Sequence, residues 1–189
     1  MKGADAFKLF LGPTVPTLLV TVNEGQEIDH GEPPADVSRK LNAAPSSWVQ
    51  KVSYDPPLVV LAQKPGNDTL RNLRRDPRFT MNVLSGEKMQ RLLLCGQRPP
   101  YGESELLLPG VDLDPVVTHS TLGPVAVIDG AVQWAVCRAL EFRPTGDHVL
   151  VIAEVERVFV DEVRLHRTGL YWNKKTFAWI GNKFEEEGY

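Results

Sequence analysis

The chain has 189 residues, 42% hydrophobic and 24% charged, with a formal net charge of -3. This length and apolar content suit one buried core, so residues 1–189 are expected to form a single domain without a general attraction for nucleic acid. Two cysteines, Cys95 and Cys137, make no Cys-x-x-Cys pair and no disulfide framework, which points to a reducing, cytoplasmic setting.

At the N-terminus, the apolar stretch from Leu9 to Val22 is interrupted by Gly12-Pro13 and Pro16. These break an export-signal helix, and no window approaches the ~20 apolar residues of a membrane span. Leu18 to Val22 is a short β-rich run ended by Asn23-Glu24-Gly25, and reads as a strand. Residues 24–40 are polar, carry Gly31, Pro33 and Pro34, and read as an extended surface loop. The uninterrupted apolar run Leu58–Ala62, bounded by Pro57 and Pro65, is short enough to favour a buried strand.

Asn67-Asp68-Thr69 offers capping side chains for a helix over 68–75, with Leu70 and Leu73 on one face and Asp76-Pro77 as the stop. Phe79 to Val83 alternates, so Asn82 faces away from Phe79, Met81 and Val83. A second helix is expected over 87–95. Further strands are expected at 125–128, 133–142 and, most clearly, 148–160 after the Thr145-Gly146-Asp147 turn. Residues 161–189 form a C-terminal tail holding Tyr171, Trp172, Phe177 and Trp179, aromatics best suited to packing. Strands outnumber helices without regular alternation, which favours a mainly β fold: an antiparallel barrel with helical insertions.

Dinucleotide, P-loop, zincin and nucleophile-elbow motifs are all missing. The four histidines are scattered and form no short-range ligand pair, so no metal centre is expected. What remains is a block from Asn42 to Asn82. In Ala44, Pro45, Ser46, Ser47 and Trp48, small side chains admit a flat ring against the backbone and serines add polar reach; the same residues also suit a tight strand entry. Ser53, Lys64 and Thr69 supply hydroxyls and a cation for a phosphate, with Thr69 at a helix start where unpaired N–H groups favour an anion; by themselves these residues favour a capped surface helix beside an ordinary lysine. Asp68 would repel a phosphate and instead caps the helix or orients its neighbours. By themselves Asn82 and His148 read as exposed polar residues.

Taken in order, Pro16–Val22, Asn42–Trp48, Val52–Val60, Asp68–Asn82, Cys137-Arg138 and Gly146–Val155 resemble the flavin reductase-like, FMN-binding split-barrel family. The resemblance implies a six-stranded antiparallel split barrel of Greek-key type, a homodimer, and FMN near the subunit interface. Ala44, Pro45, Ser46, Ser47 and Trp48 would flank the flavin ring, Ser53, Lys64 and Thr69 would address the phosphate, and Asn82 would stand near the cofactor. His148 matches a family histidine beside the nicotinamide and is the catalytic candidate. The implied activity is an NAD(P)H-dependent flavin reductase, with a partner monooxygenase as one acceptor of reduced flavin. A non-enzymatic FMN electron carrier and an FMN-dependent oxidase or oxygenase of a small organic substrate are the rival readings.

Overall fold

The computed structural model describes residues 15–97, 99, 100, 102–172 and 176–179. Strand β1 (Thr17–Val22) leads into helix α1 (Pro34–Arg39), then β2 (Leu41–Ser46), β3 (Val49–Tyr54) and β4 (Pro57–Gln63). Helix α2 (Asp68–Arg75) and β5 (Arg78–Val83) follow, then α3 (Met89–Leu94) and a hairpin of β6 (Pro115–Ser120) with β7 (Gly123–Ile128). Two long strands, β8 (Gln133–Thr145) and β9 (His148–Val160), precede the short hairpin β10 (Gly169–Trp172) and β11 (Thr176–Trp179).

The main sheet is antiparallel, in the order β2-β1-β5-β8-β9-β4-β3. Only Ser47 and Trp48 separate β2 from β3, yet these strands are the two edges of the sheet. So short a link forces the sheet to curl until its edges approach, while no ladder joins β2 to β3, leaving the barrel split. The strand count departs from the six expected. Residues 125–128 pair outside the sheet with β6, whereas β2 and β3, rich in small, polar and charged residues, join it to make seven. Sheet pairing overrides their weak strand propensity.

Two cores lie on opposite faces of β1. Leu18 and Val20 pack with Val37, Leu41, Leu84, Met89, Leu92 and Ile128, beneath the helices and the β6–β7 hairpin. Leu19 points the other way, among Leu61, Phe79, Cys137, Val151 and the helix residues Leu70 and Leu73. Helix α2 therefore seats the predicted leucine face in the barrel. The expected 24–40 surface loop is only partly so. Pro34 opens α1, and Val37 and Ile28 are buried, because proline fits the first helical turn as readily as a loop. The aromatic side chains of Tyr171, Trp172, Phe177 and Trp179 lie outside the described residues.

Asn82 is no surface residue either. It is fully buried: its amide donates to the Leu18 carbonyl at 3.2 Å and the Thr80 hydroxyl at 3.0 Å, and accepts from the Ile128 N–H at 2.9 Å. Its face of β5 looks away from Phe79, as expected, but β7 covers it. No helix among the described residues is long and apolar enough to cross a membrane.

Candidate functional site

The β2–Ser47–Trp48–β3 corner is the natural starting point, because β2 is an edge strand. The Ala43 N–H points away from β1 and donates to a carboxylate oxygen of Glu105 at 2.7 Å. By the alternation of an antiparallel ladder, Pro45 turns its carbonyl to the same outer edge, and having no N–H it offers a pure acceptor there. Ser46 and Ser47 are half-buried beside it. A Cβ built on Gly96 would lie 3.5 Å from the Pro45 ring, so the chain after α3 backs this wall.

Trp48 is 54% exposed and stacks on His148, with ring centroids 4.5 Å apart. Its carbonyl accepts from Ala62 N at 3.0 Å, which pins the corner to the end of β4. His148 opens β9 and is hydrogen-bonded through Nδ1 to the Asp147 carboxylate at 2.7 Å. That bond holds the Asp147 carboxyl below its usual range, with the charges of His148 and Lys64 adding to the effect. Lys64, just past β4, is exposed. After Gly66, held at φ +79° where glycine is unstrained, Asn67 caps α2 by accepting from Leu70 N at 2.8 Å. The cap is thus Asn67. Asp68, the residue expected to cap or orient, pairs with Arg71 at 3.5 Å and leaves the first turn less hostile to an anion.

The structure therefore brings Ser46, Ser47, Trp48, Lys64, the start of α2 and His148 to one end of the barrel. Two predicted residues stand elsewhere. Ser53 is paired opposite Leu58, at the far end of β4 from Lys64, roughly 15–20 Å away at strand rise. It lines an open apolar groove with Leu58, Met81, Trp134, Val155 and Val158. Asn82 is committed to the interior.

A buried polar chain behind the wall escapes any reading of short motifs. Glu105, 4% exposed, accepts from Asn42 Nδ2 and Ala43 N, each at 2.7 Å. Asn42 Oδ1 in turn accepts from the Thr69 hydroxyl at 2.9 Å and, at a longer 3.4 Å, from Thr21. Asn72 donates to Thr21 at 3.0 Å and to Asn23 at 3.1 Å, while its buried Oδ1 has no partner. Thr69, meant to donate to a phosphate, spends its proton inward here. The sequence around Glu105 gave no signal of this, because the residues it joins are over 30 positions away.

Burial raises the Glu105 carboxyl to about 7; the bonds from Ala43 and Asn42 oppose the rise, and the charge of Asp68 adds to it. The folded state thus holds a proton that the unfolded chain releases near 4.5. Stability from this group is complete below pH 4.5 and lost as pH climbs through about 7, a fall of about 3 kcal/mol. Urea unfolding at successive pH values checks this: Glu105→Gln is expected to flatten the slope across that window. An unchanged slope would disprove the assignment.

Both cysteines are buried, and desolvation pushes their thiols up, Cys95 to about 12, which makes them inert packing residues. Sequence spacing separates the histidines, but the fold sets His30 and His119 side by side, 3.1 Å between ring nitrogens. No group of three His, Cys, Asp or Glu side chains gathers among the described residues.

The residues at this end fit a flavin mononucleotide: an edge acceptor and serines for the ring, a cation and a helix start for the phosphate. Residues 14–181 match the model of the flavin reductase like domain. The fold resembles a Shewanella frigidimarina protein described as a flavin reductase with a split barrel domain (17% identity, 98% of this chain and 91% of that one, TM-score 0.77). It also resembles nitrilotriacetate monooxygenase component B from Bacillus cereus (21%, 98% and 94%, 0.75). A third resemblance is to an FMN-binding protein from Thermus thermophilus with bound p-hydroxybenzaldehyde (19%, 97% and 95%, 0.73). With the matched model spanning nearly its whole length, the chain belongs to the flavin reductase-like domain family.

Proposed function

We propose that this protein is an FMN-binding, NAD(P)H-dependent flavin reductase. The observation that carries this is the convergence of the Ser46–Trp48 corner, Lys64, the α2 start and His148 at one barrel end in a member of that family. When bound, FMN supplies the redox chemistry, accepting hydride from the nicotinamide. The protein's part is to bind, orient and shield. The Pro45 carbonyl with Ser46 and Ser47 holds the ring edge, Ala44 keeps the wall thin, and Lys64 with the α2 start meets the phosphate.

His148, oriented through Nδ1 by Asp147, keeps Nε2 free to hold or move a proton beside the ring. The exposed face of Trp48 gives a flat surface on which a nicotinamide can stack. Replacing His148 with Ala is expected to slow hydride transfer about tenfold or weaken NAD(P)H binding equally. Stopped-flow reduction that matches wild type on both counts would remove His148 from the mechanism.

The apolar groove bearing Ser53 has an exposed rim in Tyr54 and Val158, and suits a second copy of the chain. A second copy seated there would set Ser53 at a homodimer seam. Reduced flavin would pass to a partner monooxygenase, as the likeness to a monooxygenase component suggests. Two buried free cysteines accord with a cytoplasmic setting. An absorbance spectrum before and after anaerobic NADH tests cofactor and activity together. A flavin spectrum that bleaches is the expected result; a protein that takes up no added FMN overturns the reading.

A further inference from the structure

Resting on the reductase reading above, we infer that a stripe of three arginines on α2 receives the 2′-phosphate of NADPH, so that the enzyme selects NADPH over NADH. In a chain of net charge -3, Arg71, Arg74 and Arg75 crowd the second half of one short helix. Arg74 and Arg75 lie three and four positions after Arg71, and Arg71 four after Asn67, so the stripe runs along one face of α2. All three arginines, with Gly66, Asn67 and Leu70, border a concavity of about 230 Å³.

What these arginines touch suits an anion. Arg74 is exposed, and its guanidinium rests 5.9 Å from the centroid of the Phe142 ring, a contact that steadies the side chain without using an N–H donor. Arg71 pairs with Asp68 at 3.5 Å and Arg75 with Glu24, both between partly exposed side chains. Surface pairs are weak beside charge-assisted bonds to a phosphate, so neither carboxylate bars the site. Arg78 marks the contrast. It donates to the Asp76 carboxylate at 2.6 and 2.8 Å and to the Leu122 and Pro124 carbonyls at 3.3 Å, which commits it to holding the β6–β7 turn.

Position and chemistry together select the phosphate. Phe142 lies on β8 three residues before Thr145, which pairs with His148, so the Arg74 anchor stands roughly 10 Å along the sheet from His148. With a nicotinamide beside His148, the adenosine end of the same dinucleotide spans that distance. A phosphomonoester such as the 2′-phosphate carries about two negative charges near neutral pH and three terminal oxygens, which several forked guanidiniums match. Each phosphate of the pyrophosphate bridge has a single charge and two terminal oxygens, and NADH carries that bridge as well, so it would give no selection.

The experiment compares NADPH with NADH as reductant of the FMN-saturated protein, in wild type, Arg74→Ala and Arg74→Lys. Calorimetry with 2′,5′-ADP and 5′-AMP, which differ only by the 2′-phosphate, reads the site without turnover. Wild type is expected to favour NADPH by about tenfold or more in kcat/KM, and to bind 2′,5′-ADP tighter than 5′-AMP by a similar factor. Arg74→Ala is expected to lose about tenfold with NADPH, through KM, while NADH stays within twofold; Arg74→Lys, keeping the charge without the fork, recovers part of the loss. Equal use of the two nucleotides by wild type would overturn the inference. So would equal losses for both in Arg74→Ala, which would mean that Arg74 only packs on Phe142 or meets the shared pyrophosphate. A protein that takes up no FMN and oxidises neither nucleotide overturns the reductase reading, and the preference for 2′,5′-ADP over 5′-AMP then decides the arginine site by itself.

Discussion

Lys64→Ala is expected to weaken FMN binding about 10- to 100-fold while leaving riboflavin affinity within twofold of wild type. The reasoning is local. Lys64 follows β4 directly, so the sheet sets where its side chain begins, and it stands beside the start of α2. Its charge acts on the Asp147 carboxylate, which is already hydrogen-bonded to His148. An ammonium so placed can pair with a phosphate without first giving up a strong partner. Asp68 argues against an anion nearby, but its pairing with Arg71 reduces that opposition. Titrating FMN and riboflavin by fluorescence quenching separates charge pairing from ring contact. Equal losses for both ligands would show that Lys64 shapes the wall and does not meet the phosphate; no loss for either would remove it from the site.

Asn82→Ala is expected to cost about 2–4 kcal/mol of folding stability and to leave FMN affinity of the folded protein unchanged. The cost follows from what the substitution strands. The Ile128 N–H loses its acceptor inside the protein, and Thr80 loses a donor. An unsatisfied buried donor costs about 1–3 kcal/mol, and the small cavity adds to it. Thr80 itself ties β5 to β7 through the Ala126 carbonyl, so two of the hairpin's tethers lean on this pair. The midpoint of urea unfolding checks the first half and flavin titration the second. A large loss of FMN affinity in a well-folded Asn82→Ala would restore Asn82 to the cofactor site.

These two residues also show where sequence reading succeeds and where it stops. Lys64 is legible because its context is contiguous: an apolar strand, a Pro-Gly turn and a capped helix fix its place within a dozen positions. Asn82 has the right alternation, with Phe79 opposite, but alternation cannot reveal that β7 closes over its face. Ser53 is a harder case. The family resemblance assigns it a phosphate contact, but the span of β4 carries it away from Lys64. Glu105 lies beyond reach of local reading because its value comes from an edge N–H and an amide some 60 residues upstream.

By itself the sequence determined the β-rich class, the strands β1, β4, β5, β8 and β9, the leucine face of α2 and the order of the Asn42–Asn82 block. Those properties are local, set by side-chain periodicity and turn chemistry over a few residues. Only the tertiary structure decided that β2 and β3 are opposite edges of a curled seven-stranded sheet. It also decided that Trp48 meets His148 across 100 positions, and that a buried glutamate braces the wall from behind. The reason is physical: burial and hydrogen-bond satisfaction belong to the closed fold, and a residue's role changes when a distant strand covers it.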